Sequence, residues 1–249
     1  MTRPPAIAIE GLVKAYAGQE SPAVNGMSLV VPQGILFGLL GANGAGKSTT
    51  LALLCGLTGA DSGTMEILGR RMLPAARKVK QLLGFVPQDI ALYEHLTGRE
   101  NLRFFARLYG VGRKQLPERV DFCLHLAGLA PRADQLLATY SGGMKRRLNL
   151  AVGLLHEPEI LFLDEPTVGI DAQSRQLIHT QLQHLVGQGL TIVYTTHYME
   201  EAEQLCTLVA IIDQGKIVAM DTPQGLMARH GCRNLEECFF LLTGKALRD

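Results

Sequence analysis

Gly34-Ile35-Leu36-Phe37-Gly38-Leu39-Leu40 runs directly into Gly41-Ala42-Asn43-Gly44-Ala45-Gly46-Lys47-Ser48, and Ser48-Thr49-Thr50-Leu51-Ala52-Leu53-Leu54-Cys55 follows. The first stretch is an almost unbroken apolar run, the pattern of a strand buried on both faces. The third is a good helix opening. The stretch between them satisfies G-x-x-x-x-G-K-[ST], a turn whose glycines let successive backbone N–H groups curl around a phosphate. The helix N-terminus behind it adds about half a positive charge. In such a loop Lys47 reaches the β- and γ-phosphates of a nucleotide, and the Ser48 hydroxyl ligates Mg²⁺. A glycine-rich turn with a stray lysine would need neither the strand before it nor the helix after it.

Outward from this loop the same grammar repeats. Ile160-Leu161-Phe162-Leu163 reads as a second buried strand, ending in Asp164-Glu165, and Leu190-Thr191-Ile192-Val193-Tyr194 as a third, ending near His197. An acidic pair after a strand is often only a turn. Downstream of a phosphate loop, Asp164 is placed to hold hydrated Mg²⁺ and Glu165 to deprotonate an attacking water. Ile7–Glu10 and Met27–Val31 read as short strands, and Asp213-Gln214-Gly215-Lys216 as a hairpin turn between Val209–Ile212 and Ile217–Ala219. Strands alternating with helices imply a parallel sheet covered on both faces. Between about residues 90 and 156 the β-branched runs vanish. Thr97-Gly98-Arg99-Glu100 there is a capping box, and Leu102, Phe105, Leu108 and Tyr109 mark the helix beyond it. Pro158 closes this helical insert.

A net charge of +1, with 47% hydrophobic and 19% charged residues, describes a globular chain with no broad field for nucleic acid. Five cysteines without a C-x-x-C pair suggest neither a disulfide framework nor a zinc site. No secretion signal and no run of about 20 apolar residues is present, so service to a membrane would pass through a partner. Asn234–Gly244 reads as an amphipathic helix stopped by a glycine, with Leu235, Cys238, Phe239 and Leu242 on one face. On this reading the chain then ends without room for a further regulatory domain.

Tyr140-Ser141-Gly142-Gly143-Met144-Lys145-Arg146-Arg147-Leu148 resembles the signature motif of ABC ATPases, usually written L-S-G-G-Q. The resemblance then extends over nearly the whole chain. It implies an α/β fold: a P-loop NTPase (RecA-like) core with an N-terminal β subdomain and an inserted α-helical subdomain. One domain of residues 1–249 would divide into a core of 1–89 and 157–249 and a helical signature subdomain of 90–156. It implies ATP and Mg²⁺ as ligands. Tyr16 would stack on adenine, and Gly41, Asn43, Gly44, Ala45, Gly46, Lys47, Ser48 and Thr49 would hold the phosphates. Ser48, Gln88 and Asp164 would serve the metal. Glu165, His197, Gln88 and Lys47 would be catalytic, with His197 as switch histidine and Gln88 touching Mg²⁺ or the attacking water. Asp171 matches the D-loop aspartate. Singly, Tyr16 and His197 would more often be structural; the assembled set decides.

Ser141-Gly142-Gly143 also has a reading of its own, because it puts N–H groups and a hydroxyl at a helix N-terminus, a second anion site. Two half-sites that cannot fold onto one phosphate suit a dimer. The resemblance implies a homodimer or pseudo-dimer in which one subunit's signature caps the γ-phosphate on the other's P-loop. It also implies integral membrane permease subunits as partners, no nucleic acid, and a place on the cytoplasmic face of the cell membrane. Leu92, Tyr93, Phe104 and Phe105 are candidates for the permease groove, with the insert's own core as the alternative.

Met144 stands where most members have glutamine, and Val168-Gly169-Ile170-Asp171 replaces the commoner D-loop. With Thr195–Glu203 these variants are similar to the exporter subclass that moves drugs, polyketides, lipids or polysaccharides. The alternative, a soluble ABC ATPase acting on ribosomes or nucleic acid, would usually carry two cassettes or coiled-coil arms. A small-molecule kinase or GTPase would have no use for Ser141-Gly142-Gly143.

Overall fold

The computed structural model describes residues 3–244. The elements in chain order begin with β1 (Ile7–Lys14), β2 (Val24–Val31), β3 (Leu36–Leu40), α1 (Lys47–Leu54), β4 (Ser62–Ile67), β5 (Arg70–Arg71), α2 (Arg77–Lys80) and β6 (Leu83–Val86). The helices α3 (Gly98–Leu108), α4 (Leu116–Leu126) and α5 (Gly142–Val152) come next. The chain continues through β7 (Ile160–Asp164), α6 (Ala172–Gly187), β8 (Thr191–Thr196), α7 (Met199–Leu205), β9 (Leu208–Asp213), β10 (Lys216–Asp221), α8 (Pro223–His230) and α9 (Leu235–Thr243).

Every residue of β3, β7 and β8 is buried, as continuous apolar runs require when both faces are covered. They lie at the centre of a six-stranded sheet ordered β10-β9-β3-β8-β7-β6. All its pairings are parallel except β9 with β10. A separate antiparallel sheet, β2-β1-β4-β5, forms beside it. Two apolar cores result. One joins this small sheet, α1 and one face of the large sheet through Phe37, Leu51 and Phe162. The other joins α3, α4 and α5 to the opposite face and to α6, α7 and α9.

Gln214 (φ 49°) and Gly215 (φ 74°) make the tight turn between β9 and β10, a geometry that matches strand twist. This hairpin also braces the phosphate loop, since Gly215 N–H donates to Ala45 O and Asn25 N–H to Gly215 O, each at 2.9 Å.

The capping box at the start of α3 is present: Glu100 N–H donates to Thr97 Oγ1 (3.1 Å) and Thr97 N–H to Glu100 Oε2 (2.9 Å). The helix stops one residue short of its sequence reading, and its apolar residues do not all turn inward. Leu102 is buried, but Leu108 is 67% exposed and Tyr109 lies in the turn beyond the helix. The carboxamide of buried Asn101 fills part of that inner face, bonding the Tyr93 and Thr97 backbone. Helix α9 is capped by Asn234 and stopped by Gly244 in the left-handed region, with Leu235, Cys238 and Phe239 buried. Four of the five cysteines are buried and Cys232 is half-buried; burial pushes the thiols of Cys55, Cys123 and Cys206 up.

Candidate functional site

The phosphate loop is shaped by two separate demands on glycine. Gly44 and Gly46 sit at φ 79° and 108°, where L side chains are strained. Gly41 and Gly46 are also pressed against backbone: a Cβ would fall 2.6 Å from Ile212 O at Gly41 and 2.3 Å from Ala23 O at Gly46. Helix α1 starts with no side-chain cap, so its first-turn amides remain for a ligand. A cleft of about 670 Å³ opens before it, lined by Tyr16, Asn43, Lys47, Ser48, Gln88 and Glu165, with Gly44, Gly46 and Thr49 also on its wall. Gly41 and Ala45 are buried beneath the loop. Tyr16 is 40% exposed, and Lys14 Nζ stands 5.5 Å from its ring centre.

Lys47 is buried, and its ammonium meets three acceptors: Gly41 O (2.8 Å), Ala42 O (3.2 Å) and Glu165 Oε1 (3.0 Å). The other oxygen of Glu165 lies 3.1 Å from His197 Nδ1. This carboxylate therefore bridges the lysine of the phosphate loop and the histidine beyond β8. Parallel pairing sets Asp164 opposite Thr195. The Thr195 hydroxyl donates to Asp164 Oδ1 at 2.7 Å and accepts the Glu165 N–H at 3.0 Å. One threonine thus orients both acids. Glu165 has φ 46°, rare for a residue with a side chain. Such strain persists only where the surroundings over-determine it.

Ser141, Gly142, Gly143 and Asp171 do not line that cleft. Ser141 caps α5, its Oγ accepting from Met144 N–H at 3.2 Å. The helix start is packed against the start of α6, where a Cβ on Gly143 would lie 2.0 Å from Ser174 Oγ. Asp171 caps α6 by accepting from Ser174 N–H (2.8 Å), and these bonds hold its carboxyl below the usual range. Met144 is half-buried, packed against the core. The buried Arg146 guanidinium donates to Gln88 O and, at 3.3 Å, to Val168 O. Burial lowers its pKa. It ties the α5 helix to the Gln88 turn and to the loop before Asp171.

The expected site residues therefore separate into two groups. Tyr16, the phosphate loop, Gln88, Asp164, Glu165 and His197 come together, whereas Ser141–Gly143 and Asp171 form a second, outward-facing group. Residues 24–168 match the family described as ABC transporter.

The chain belongs to the ABC transporter family.

It is similar to the linearmycin resistance ATP-binding protein LnrL of Bacillus subtilis, 46% identical over 222 residues, 89% of this chain and 71% of that one. It is similar also to a Nod factor export ATP-binding protein I of Paraburkholderia xenovorans, 42% identical over 98% of this chain and 79% of that one. A solved ATP-binding subunit of an ABC transporter superposes with a TM-score of 0.84 at 28% identity, covering 95% and 99% of the two chains. This ABC chain is an ATP-binding and ATP-hydrolysing subunit of the exporter type, with the P-loop NTPase fold.

The sequence reading missed Thr195, which orients both acids, and Arg146, which joins the two groups. The pair Thr195-Thr196 ahead of His197 was the signal for the first. Arg146 stands inside the signature segment, but its two carbonyl partners lie 58 and 22 residues away.

Proposed function

We propose that two copies of this ABC ATPase close around two ATP molecules, the Ser141–Gly143 helix tip of each completing the cleft of the other. The observation that carries this is the separation just described: a cleft with its own lysine, acids and histidine, and a helix tip, capped by Ser141, that is absent from that cleft. Tyr16 supports the adenine, and the phosphate-loop amides and Lys47 receive the phosphates. Ser48, Gln88 and Asp164 offer oxygen donors only, a set that fits Mg²⁺. When bound, Mg²⁺ neutralises charge on the phosphate oxygens.

The γ-phosphate competes with Glu165 for Lys47. Once displaced from the lysine, Glu165 takes the proton of a water whose oxygen attacks the γ-phosphorus, and the bond to the β–γ bridging oxygen breaks to give ADP and phosphate. His197 Nδ1 lies against the second carboxylate oxygen; once Glu165 turns to the water, the ring N–H is released to donate to the γ-phosphate. Asp171, at the opposite helix tip, meets the partner copy. Gln88 joins the 90–156 helical segment to the core of 1–89 and 157–249, so that γ-phosphate contact swings the segment as a unit.

Membrane-embedded permease subunits are the proposed consumers of that movement. Tyr93 and Phe104, the latter on α3, form an exposed edge-to-face pair with ring centres 5.0 Å apart. Leu92 and Phe105 pack partly into the core instead, so the first two are the better docking candidates. Among the described residues no helix is long and apolar enough to cross a membrane. The proposed location is the cytoplasmic face, reached through those subunits. Drug-, lipid- or polysaccharide-like cargo is the proposed substrate class, beside relatives named for linearmycin resistance and Nod factor export, and its selection belongs to the membrane subunits.

Glu165→Gln tests the reading. It should bind ATP, lower hydrolysis by about 100-fold or more, and shift to a dimer in light scattering when ATP is added. A monomer at saturating ATP defeats the sandwich, and a wild-type rate removes Glu165 as the base.

A further inference from the structure

Glu201, on α7, is a buried carboxylate with no place in the chemistry above, yet two buried hydroxyls converge on one of its oxygens. Its Oε2 accepts from Thr167 Oγ1 at 2.7 Å and from Tyr194 OH at 2.5 Å. Arg175 Nε stands 3.2 Å from its Oε1. Thr167 and Tyr194 are themselves fully buried, with their hydroxyls 3.0 Å apart. Burial, and then the neighbouring carboxylate, raise the Tyr194 pKa well above its ordinary value, so the phenol stays a donor.

The positions of these partners matter more than their number. Thr167 lies two residues beyond Glu165 and four before Asp171. Tyr194 lies three residues before His197, and Glu201 four after it. Arg175 lies four residues beyond Asp171, and its guanidinium covers the Tyr198 ring at 5.6 Å. A single carboxylate is thus bonded to the loop that follows the base and to the strand that carries the switch histidine, and is paired with the helix that begins at Asp171. Glu165 occupies a backbone conformation that needs outside support. Thr195 supplies one brace, at the Glu165 N–H. The Thr167–Glu201 bond supplies another, two residues downstream.

We propose that Glu201 is a positioning residue for ATP hydrolysis: through Thr167 and Tyr194 it fixes the Glu165-to-Asp171 loop and the His197 loop relative to each other. It touches neither nucleotide nor water. Its loss lets the Glu165–His197 pair and the Asp171 helix tip drift independently, which penalises the hydrolytic geometry while leaving the phosphate loop intact. The inference rests on the proposed roles of Glu165 and His197.

The experiment is a set of variants of the full chain: Glu201→Gln, Thr167→Val, the Glu201→Gln/Thr167→Val double variant, and Tyr194→Phe, with Leu226→Ala as a buried control in α8. Steady-state ATP hydrolysis, equilibrium ATP binding and Tm are measured on each. Glu201→Gln should lower kcat by about 10-fold or more while KM and ATP affinity change by less than about 3-fold. The double variant should be no slower than the slower single, because both act on the one Thr167–Glu201 contact: Thr167→Val removes its donor, and Glu201→Gln keeps one acceptor oxygen but takes away the charge. Tyr194→Phe, the mildest change, should show the same split on a smaller scale, and it carries the test if Glu201→Gln does not fold. Leu226→Ala should lose Tm but keep kcat. The proposal is overturned if Glu201→Gln or Tyr194→Phe keeps wild-type kcat, or if kcat merely tracks Tm across the set as it does in Leu226→Ala. Glu165→Gln run alongside separates the two readings: if it too keeps wild-type turnover, the assignment of the base has failed, and otherwise only this inference has.

Discussion

Two helix N-termini in this ABC subunit are candidate anion sites, and they are built in opposite ways. At α1 the cap is Gly46, with no side-chain bond to the first turn, and buried Lys47 and Glu165 stand against it. At α5 the cap is Ser141, whose hydroxyl is already bonded to Met144 N–H, and Ser141 and Gly142 face solvent. The first is deep and charged, its binding groups all drawn from one chain. The second is more exposed, and the charges beside it are already engaged: Asp171 caps α6 and Lys145 pairs with Glu94. A helix tip alone offers about half a charge, screened near water, which is weak as a binding site but sufficient as a lid on a phosphate already held elsewhere. The contrast gives the two tips different duties: α1 binds, α5 completes.

Lys47→Ala is the harshest test of that division. It removes the only ammonium that lines the cleft among the described residues and leaves Glu165 buried beside a missing partner. Hydrogen bonds to charged groups contribute about 1.5–3 kcal/mol each, so ATP affinity should fall by about 10-fold or more and turnover should drop to background. Calorimetric titration with ATP checks the first and phosphate release the second. An affinity within about 2-fold of wild type would mean that the α1 tip binds without its lysine, and the asymmetry would vanish.

Complementation is the more specific test, and its expected signal is smaller. Ser141→Arg places a large side chain on the α5 tip, leaving the cleft of its own chain untouched; ATP affinity should persist while turnover is lost. Mixed with Lys47→Ala, it should regain activity, because one of the two composite sites in a mixed dimer draws Lys47 from one chain and Ser141 from the other. Random pairing of the chains leaves about a quarter of all sites intact, and turnover should return to about that fraction of wild type. Two inactive variants that stay inactive at every mixing ratio would show that each chain completes its own site.

The difference between the tips also explains what the sequence disclosed. The α1 site is written in consecutive residues, since the φ of Gly44 and Gly46 and the close approach at Gly41 leave few alternatives to glycine. Asp164 and Glu165 are legible for the same reason, as an acidic pair at the end of an apolar strand. The supporting shell is not. Thr195 meets Asp164 only through the register of β7 on β8, and Glu201 meets Thr167 across 34 residues of chain. Strand β6 also escaped the reading: four residues including Gly84, packed so closely that a Cβ would meet Gly153 O at 2.3 Å, form no recognisable run. The apolar residues that mark α3 in sequence do not all face the core: Leu108 is exposed, and the helix ends before Tyr109. The inner face is partly taken by Asn101, a polar residue that a hydrophobic pattern skips.

The smallest expected effect concerns the Ser141 hydroxyl before any nucleotide arrives. Because it caps α5 in the single chain, Ser141→Ala should cost the free protein about 1 kcal/mol, a fall in Tm of about 2–4 °C for a chain of this size. Ser141→Thr keeps the hydroxyl and should lose much less. At α1 the first turn has no side-chain cap to lose, so its stabilisation must come from ligand: ATP should raise the Tm of wild type, and of Ser141→Ala by a similar increment, through binding linkage. Differential scanning calorimetry with and without ATP reads all of these. An unchanged Tm in Ser141→Ala would mean that the hydroxyl does not hold the α5 tip in the free chain. Both helix tips would then be equally open, and only the buried charges around α1 would distinguish binding from completion.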